Sequence, residues 1–399
     1  MSLTLLLDLD DTLLQTHLEQ FIPAYFAALS RYLAAQVDPQ TMLAALAAGT
    51  RKMLSNQDPA LTLRQVFDAE FFGSLEADRA VLDPLIDRFY DEIFPTLAPL
   101  TARRPEAVAL VDWAFAQGYR VAIATDPLFP LKANLHRLRF AGLAPERYTF
   151  ALVSAYETFH FTKSHAAYFS EFVGRLGWPE GPVVMVGNDA ERDLAPARAL
   201  GLPTFWINGD KAAGSDDEAG PRGSLSDVRA WIESADLKSL NPRFEAQASI
   251  LALLLGAPAA IAALADEIPA ACWTWRPAPG EWALTEVLGH LRDTELEINQ
   301  PRLQRLLREE EPFISARDSN AWAAERQYLA QDGAGALQEF LSARKALLAD
   351  LNGLTDADWS LKARHSIFGP TTLGEMVGFM AQHDRLHIQQ IWKILHPVK

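Results

Sequence analysis

Over the first 208 residues, short fully apolar runs alternate with amphipathic stretches. The runs are Leu3–Leu7, Val121–Ala124, Phe150–Ser154, Val183–Val186 and Pro203–Ile207. Each is apolar throughout rather than alternating, the pattern of parallel strands buried on both faces. Between them, Pro105–Gln117, Leu131–Leu138 and Ala195–Leu200 carry helical spacing. The alternation predicts an α/β fold with an open, doubly wound parallel sheet. Its ligands would bind at the carboxyl ends of the strands.

Residues 16–96 interrupt this rhythm. They are rich in Ala, Leu and Phe, lack a convincing strand, and read as an all-helical insertion after the first strand. Residues 209–223 read as a polar loop, Ser224 as the cap of a short helix reaching about Glu233, and 235–242 as a linker. From Arg243 on no strand-like run appears. Four amphipathic patterns, at about 243–267, 284–309, 322–351 and 371–395, predict an all-α four-helix bundle. The expected domains are therefore 1–234 and 243–399.

Within the bundle, Ala246 to Ala265 carries no charge and is long enough to span a bilayer. Its alanine content, with Gln247, Ser249, Gly256 and Pro258, makes it a weak apolar anchor, and a buried bundle helix is the better reading. The 399-residue chain holds 36 Lys+Arg against 51 Asp+Glu, a net charge of -15. That balance argues against nucleic acid and membrane surfaces as partners. The single Cys272 excludes an intramolecular disulfide and fits a reducing, cytoplasmic setting, and no secretory signal is visible.

The first strand runs directly into Asp8-Leu9-Asp10-Asp11-Thr12. Two carboxylates at i and i+2 past a buried strand suit phosphoryl transfer. One attacks phosphorus, while the other protonates the leaving oxygen and later activates water. The accumulated negative charge calls for Mg²⁺ and a cation. Thr125 ends the next strand and offers a hydroxyl to a phosphoryl oxygen; Lys163 follows in Phe-Thr-Lys-Ser. Gly187-Asn-Asp-Ala-Glu-Arg-Asp193 closes a third strand with acidic groups.

This ordered set resembles the haloacid dehalogenase-like hydrolase superfamily over about residues 1–234. The resemblance implies Asp8 as nucleophile, Asp10 as general acid/base, and Thr125 and Lys163 as phosphoryl-binding residues. It further implies a Mg²⁺ served by Asp8, the Asp10 backbone carbonyl, Asp189 and Asp193, and a helical cap at about 16–96. The second aspartate, which dehalogenases lack, favours phosphate substrates. The sequence departs from the usual motifs at Asn188, Asp126 and Ser164, where an acid, an asparagine and a proline are commoner.

Three histidines are also suggestively placed. His383 and His387, at i and i+4, project from one face of the last helical pattern. His290 sits beside the buried stripe of the second, so three imidazoles on two facing helices can form a three-nitrogen site with an open position. Asp384 and Asp293 could orient the rings. The stretches Trp273–Pro277, Gly280–His290, Gly369–Leu373 and His383–Gln390 together resemble the DinB-like family of metal-binding four-helix bundles, over about 243–399. That resemblance implies His290, His383 and His387 as ligands of zinc or nickel; ligand softness alone also admits iron. Trp273, Trp275 and Trp282 read as wedges packing the bundle.

The leading expectation is a Mg²⁺-dependent phosphohydrolase acting on a small phosphorylated metabolite, fused to a His₃ metal-binding bundle. The alternatives put the main activity in the bundle, as a metal-dependent thiol transferase, or make the bundle a non-enzymatic module for binding or homo-oligomer assembly.

Overall fold

The computed structural model describes residues 2–75, 77–207 and 220–397. Of the loop expected at 209–223, positions 209–219 lie outside the described residues. The chain divides into two compact units. One comprises Met1–Gln57, Leu61–Phe169 and Pro179–Arg243; the other comprises Asp58–Ala60, Ser170–Trp178 and Phe244–Lys399.

The strands of the first unit are β1 (Thr4–Leu7), β2 (Leu14–Gln15), β3 (Ala102–Arg103), β4 (Arg120–Ile123), β5 (Val183–Gly187), β6 (Thr204–Ile207) and β7 (Arg222–Gly223). Five of them form one sheet in the order β4-β1-β5-β6-β7, while β2 and β3 make a small antiparallel ribbon. All pairings in the large sheet are parallel. Every residue of β1 and β5 is buried, as expected when helices cover both faces. Outside the helical insertion, the helices of this region are α5 (Pro105–Ala116), α6 (Leu131–Phe140), α8 (Ala195–Leu200) and α9 (Leu225–Ser234), with α7 (Ala166–Arg175) divided between the two units at Ser170. Leu5, Leu7, Val121, Ile123, Val184 and Val186 pack with Leu110 and Val111 of α5 and Val228 of α9.

Two expected features differ. Phe150–Ser154 exchanges three backbone hydrogen bonds with β4 but achieves only one bridge, Ile123 with Val153, and so is not a strand. It lies on the outer side of β4, where Ala151 is exposed and Leu152 and Val153 are only half-buried. The fifth strand is β7, two residues whose polarity hid them.

The insertion after β1 is helical: α1 (Leu18–Tyr32), α2 (Pro39–Leu54), α3 (Leu63–Gly73) and α4 (Arg79–Glu92). Asp38 caps α2 by accepting the Gln40 and Thr41 N–H groups, and Thr62 with Gln65 forms a reciprocal capping box on α3. Phe21, Tyr25, Phe71, Phe89, Tyr90 and Phe94 form a separate aromatic core for these helices.

In the second unit α10 (Gln247–Glu267) packs against two later long helices, α14 (Gly333–Asn352) and α16 (Leu373–Leu395). It is one helix long and apolar enough to cross a membrane among the described residues, and 72% of that apolar window is buried. The helix α11 (Leu284–Thr294) runs through a widened turn, Glu295–Asn299, into α12 (Gln300–Arg308). Pro301 lacks the N–H that a regular turn would use there. The third long helix begins at Gly333, later than its pattern suggested. Asp332 caps it, and only the short α13 (Trp322–Glu325) precedes it, with Gln327 in the left-handed region (φ 53°). The short α15 (Asp356–Trp359) follows.

A small sheet, absent from the sequence expectation, completes this unit: β8 (Phe313–Ile314), β9 (Lys362–His365) and β10 (Gly369–Thr372). Its strands are two to four residues long, and β9 alternates exposed and buried positions, so no apolar run announces it.

Candidate active site and metal centre

Leu7 is level with Ile123 on one side and Val186 on the other. The segments that follow β1, β4 and β5 therefore leave the sheet side by side. The Asp8 N–H donates to the Val186 carbonyl (2.9 Å) and the Ala124 N–H to the Leu7 carbonyl (2.8 Å). Beyond Asp8 the chain turns sharply. Asp11 adopts a left-handed conformation (φ 56°), which Asp tolerates better than most side chains, and its carboxylate accepts the Thr16 and His17 N–H groups. This turn presents Asp10, whose Oδ1 accepts the Thr16 hydroxyl at 2.7 Å.

Lys163 is 2% exposed, yet its ammonium binds Asp8 Oδ1 at 2.7 Å and is also paired with Asp193. Burial alone would lower this lysine, but Asp193 and Asp8 outweigh it and hold it above the ordinary value. Burial, reinforced by the nearby Asp8 charge, raises Asp193. A Cβ at Gly187 would lie 2.2–2.6 Å from the Asp193 side chain, so glycine is required for this close approach. Thr125 is buried one residue past the level of Asp8; Ser154 Oγ (2.6 Å) and the Tyr168 hydroxyl (2.9 Å) both donate to its carbonyl.

Asp8, Lys163 and Asp193 thus meet, with Asp10 two residues beyond Asp8 and Thr125 on the neighbouring segment after β4. Asp189 does not join them: its Oδ1 accepts the Glu191 and Arg192 N–H groups and caps the turn after β5. The side chain that reaches Asp8 and Asp10 is instead Asn188. One amide atom of Asn188 lies 2.9 Å from Thr12 Oγ1, 3.2 Å from Asp8 Oδ2 and 3.0 Å from the Asp10 carbonyl oxygen. If that atom is nitrogen, it donates to all three. If it is oxygen, it accepts from Thr12 and meets two further oxygens with no proton between them, an arrangement favoured by a cation. Carboxylate, carbonyl and amide oxygens suit magnesium.

Two arginines went unseen in the sequence. Arg137, fully buried on α6, pairs with Asp10, donates to Asn134 Oδ1 (2.8 Å) and lies 4.7 Å over the Phe129 ring. Burial pulls its guanidinium down to about 10, still cationic at neutral pH. Arg192 pairs with the half-buried Asp126, which also accepts the Lys163 backbone N–H.

In the bundle, His290, His383 and His387 offer ligand nitrogens within 4.8 Å of one another. His383 Nε2 stands 3.0 Å from His290 Nε2 and 3.1 Å from His387 Nε2. Gln390 Oε1 lies 3.0 Å from His387 Nδ1, and a proton on that nitrogen leaves Nε2 free as a ligand. Burial lowers all three, His290 to about 4 and His387 to about 3; neighbouring imidazoles add to the effect at His383 and His387. They are therefore neutral, the form that binds metal. Trp282 covers the cluster, its ring 4.9 Å from that of His290 and stacked on His387 at 6.1 Å.

Asp384 and Asp293 do not orient the rings as expected. Asp384 is held by Arg344; Asp293 by Arg292, Arg326 and the Tyr328 hydroxyl.

Residues 3–201 match the model of the haloacid dehalogenase-like hydrolases, and residues 253–391 that of the DinB superfamily. The chain joins a haloacid dehalogenase-like hydrolase to a DinB-like domain. The uncharacterised protein YuaE of Bacillus subtilis (strain 168) is 24% identical over 135 residues, covering 31% of this chain and 83% of YuaE. YfiT from Bacillus subtilis, described as "a probable metal-dependent hydrolase with an unusual four-helix bundle topology", is 22% identical. That match covers 39% of this chain and 88% of YfiT, with a TM-score of 0.35. A 2-haloacid dehalogenase from Pseudomonas syringae pv. Tomato DC3000 is 22% identical over 58% of this chain and 99% of its own, with a TM-score of 0.41.

Chemically, the hydrolase site combines a carboxylate already beside a buried ammonium, a second carboxylate two residues on, and the Asn188 amide facing the Asp8 carboxylate and the Asp10 carbonyl. The DinB-like site is nitrogen-only and partly shielded by tryptophan. The two donor sets therefore favour different metals: hard cations at the first, borderline ones at the second.

Proposed function

We propose that the hydrolase domain is a magnesium-dependent phosphohydrolase acting on small phosphomonoesters. The observation that carries this reading is the contact of Asp8 Oδ1 with the buried Lys163 ammonium, with Asp10 two residues further on. Asp8 attacks phosphorus, the bond from phosphorus to the alcohol oxygen breaks, and Asp10 gives its proton to the departing alkoxide. Asp10 then takes a proton from water as that water attacks the aspartyl-phosphate, releasing phosphate and restoring Asp8. Lys163 and Thr125 bind the phosphoryl oxygens. Asp8, the Asp10 carbonyl and Asn188 would hold magnesium, which supplies further neutralisation of the crowded negative charge. Asp8→Asn should lower Mg²⁺-dependent phosphatase turnover by roughly three orders of magnitude or more. Undiminished turnover in that variant contradicts the proposal.

The convergence of three imidazole nitrogens supports a second reading, a transition-metal centre in the DinB-like domain able to activate a small thiol. A cavity of about 250 Å³ bordered by His383, Thr294 and Arg302 offers room for a ligand. Elemental analysis of the full chain should find one zinc- or nickel-class ion that is lost in His383→Ala; equal metal in both proteins rejects it.

A further inference from the structure

The cavity under the cap helices has a volume of about 350 Å³ and reaches Asp10, Asp126 and Arg192 at its inner end. That size suits a small organic ligand. The apolar part of its wall is shared between rings, among them Tyr25, Phe26, Phe67 and Phe129, and aliphatic chains such as Ile22 and Met53. Such surfaces reward a flat apolar group and offer nothing to a hydroxyl.

Polar side chains do reach this wall, but apart from the Tyr156 hydroxyl they are engaged with other side chains or with backbone. Tyr25 and Tyr90 share a hydrogen bond between hydroxyls (2.6 Å). Asp68 is bound by Arg79 (2.6 Å) and Arg64 (3.5 Å). Lys132 is bound by Asp87 (2.6 Å) and Asp91 (3.0 Å). The Thr50 hydroxyl donates to the Leu46 carbonyl (2.8 Å), and Glu157 accepts the Leu131 N–H (3.0 Å). A sugar entering here would leave most of its own hydroxyls without partners or break these pairs, and either is costly. Charge narrows the choice further. The lining holds six carboxylates, Asp10, Asp68, Asp83, Asp87, Asp126 and Glu157, against three cations, Arg64, Lys132 and Arg192; Arg79 and Arg137, just outside it, offset Asp68, Asp83 and Asp10, and the balance stays on the acidic side. A second phosphate would be repelled.

We infer that the cap cavity receives the alcohol portion of the substrate, and that this portion is flat, apolar and free of further phosphates. The inference rests on the phosphohydrolase reading for its chemistry and on the cavity for its selectivity. It disfavours sugar phosphates and nucleoside di- and triphosphates as substrates.

The test uses the full chain with Mg²⁺ and three substrates. Acetyl phosphate, too small to need the cavity, reports on the phosphohydrolase reading. 2-(2-Naphthyl)ethyl phosphate and glucose 6-phosphate, both esters of primary alcohols, report on the cavity with similar leaving groups. The naphthylethyl ester should have at least about tenfold higher kcat/KM than glucose 6-phosphate, and Phe26→Gln should lower that ratio severalfold. Equal or better turnover of glucose 6-phosphate overturns the inference while leaving the phosphohydrolase reading intact. If no substrate turns over, the phosphohydrolase reading falls. The cavity is then judged by fluorescence titration of 2-(2-naphthyl)ethanol, where saturable binding weakened by Phe26→Gln supports the inference and its absence overturns it.

Discussion

Arg137 and Asp10 form an ion pair in which the guanidinium is fully buried while the carboxylate keeps 15% of its surface exposed. The arginine is anchored independently, by Asn134 Oδ1 and by the face of Phe129, so its direction does not depend on the carboxylate it holds. Asp10 is thereby fixed by two groups, Arg137 and the Thr16 hydroxyl. Arg137 is a positioning residue in the proposed mechanism.

Removing it should therefore act on turnover more than on substrate binding. Arg137→Met should lower kcat by about tenfold to a hundredfold, the scale associated with a misplaced catalytic group, with little change in KM. Steady-state kinetics on acetyl phosphate reads this. Equal losses in wild-type-normalised stability and in both kinetic constants would instead make Arg137 only a packing residue.

Asn188 and Asp189 are neighbours with opposite roles. Asn188→Asp adds a charge to the oxygen set and should lower the Mg²⁺ concentration giving half-maximal activity by about tenfold, since charge count tunes such sites. Without Mg²⁺ the same substitution sets a third carboxylate against Asp8 and should lower the melting temperature. Asp189→Ala should instead cost about 1 kcal/mol through the lost cap and leave the Mg²⁺ titration unmoved. A shifted titration in Asp189→Ala would return the metal to that side chain.

This pair also marks where sequence reading stopped. Asp8 and Asp193 were legible because they follow fully apolar strands whose parallel register brings the following segments to one edge, whereas Lys163, with no strand beside it, was legible only through the resemblance. Choosing between Asn188 and Asp189 requires the direction of a side chain at the first residue past β5, which changes from one residue to the next. Arg137 was illegible for a related reason. Leu-His-Arg-Leu-Arg reads as an ordinary charged helix face, and Arg139, two residues on, is indeed a surface partner of Glu146. The histidine triad was legible because the i, i+4 spacing and a buried stripe constrain direction, which apolar runs as short as those of β8 and β9 do not.

Glu157 gives a pH dependence that involves none of the proposed metal ligands. Burial raises its carboxyl above the ordinary value of 4.5, despite the opposing backbone hydrogen bonds, one of them from the Leu131 N–H, and the Arg64 charge. The folded protein thus binds this proton more tightly than the unfolded chain does, so the group's contribution becomes unfavourable as pH rises through its folded value. Glu157→Gln keeps an oxygen for Leu131 and removes the charge. The variant should be more stable than wild type at pH 7, with the difference shrinking toward zero as pH falls below 4.5. Urea midpoints across that range test it, and a difference independent of pH refutes it.

Arg344 supplies the corresponding constraint in the DinB-like domain. It is fully buried on α14 and binds Glu295 (2.6 and 3.0 Å) and Asp384 (2.5 and 3.2 Å), joining three helical segments at one point. Burial would lower its guanidinium, but Asp384 and Glu295 more than reverse that and keep it charged. Asp384 directly follows His383, so the same pair sets the rotation of α16 that turns His383 and His387 toward His290. Arg344→Met leaves two buried carboxylates uncompensated and should cost about 3–5 kcal/mol, read from urea unfolding. Adding Glu295→Gln and Asp384→Asn removes those charges and should recover much of that loss. Metal content separates the two contributions: if Arg344 also sets the phase of α16, the triple variant regains stability but binds the bundle metal more weakly than wild type. Full recovery of both would reduce Arg344 to charge compensation alone.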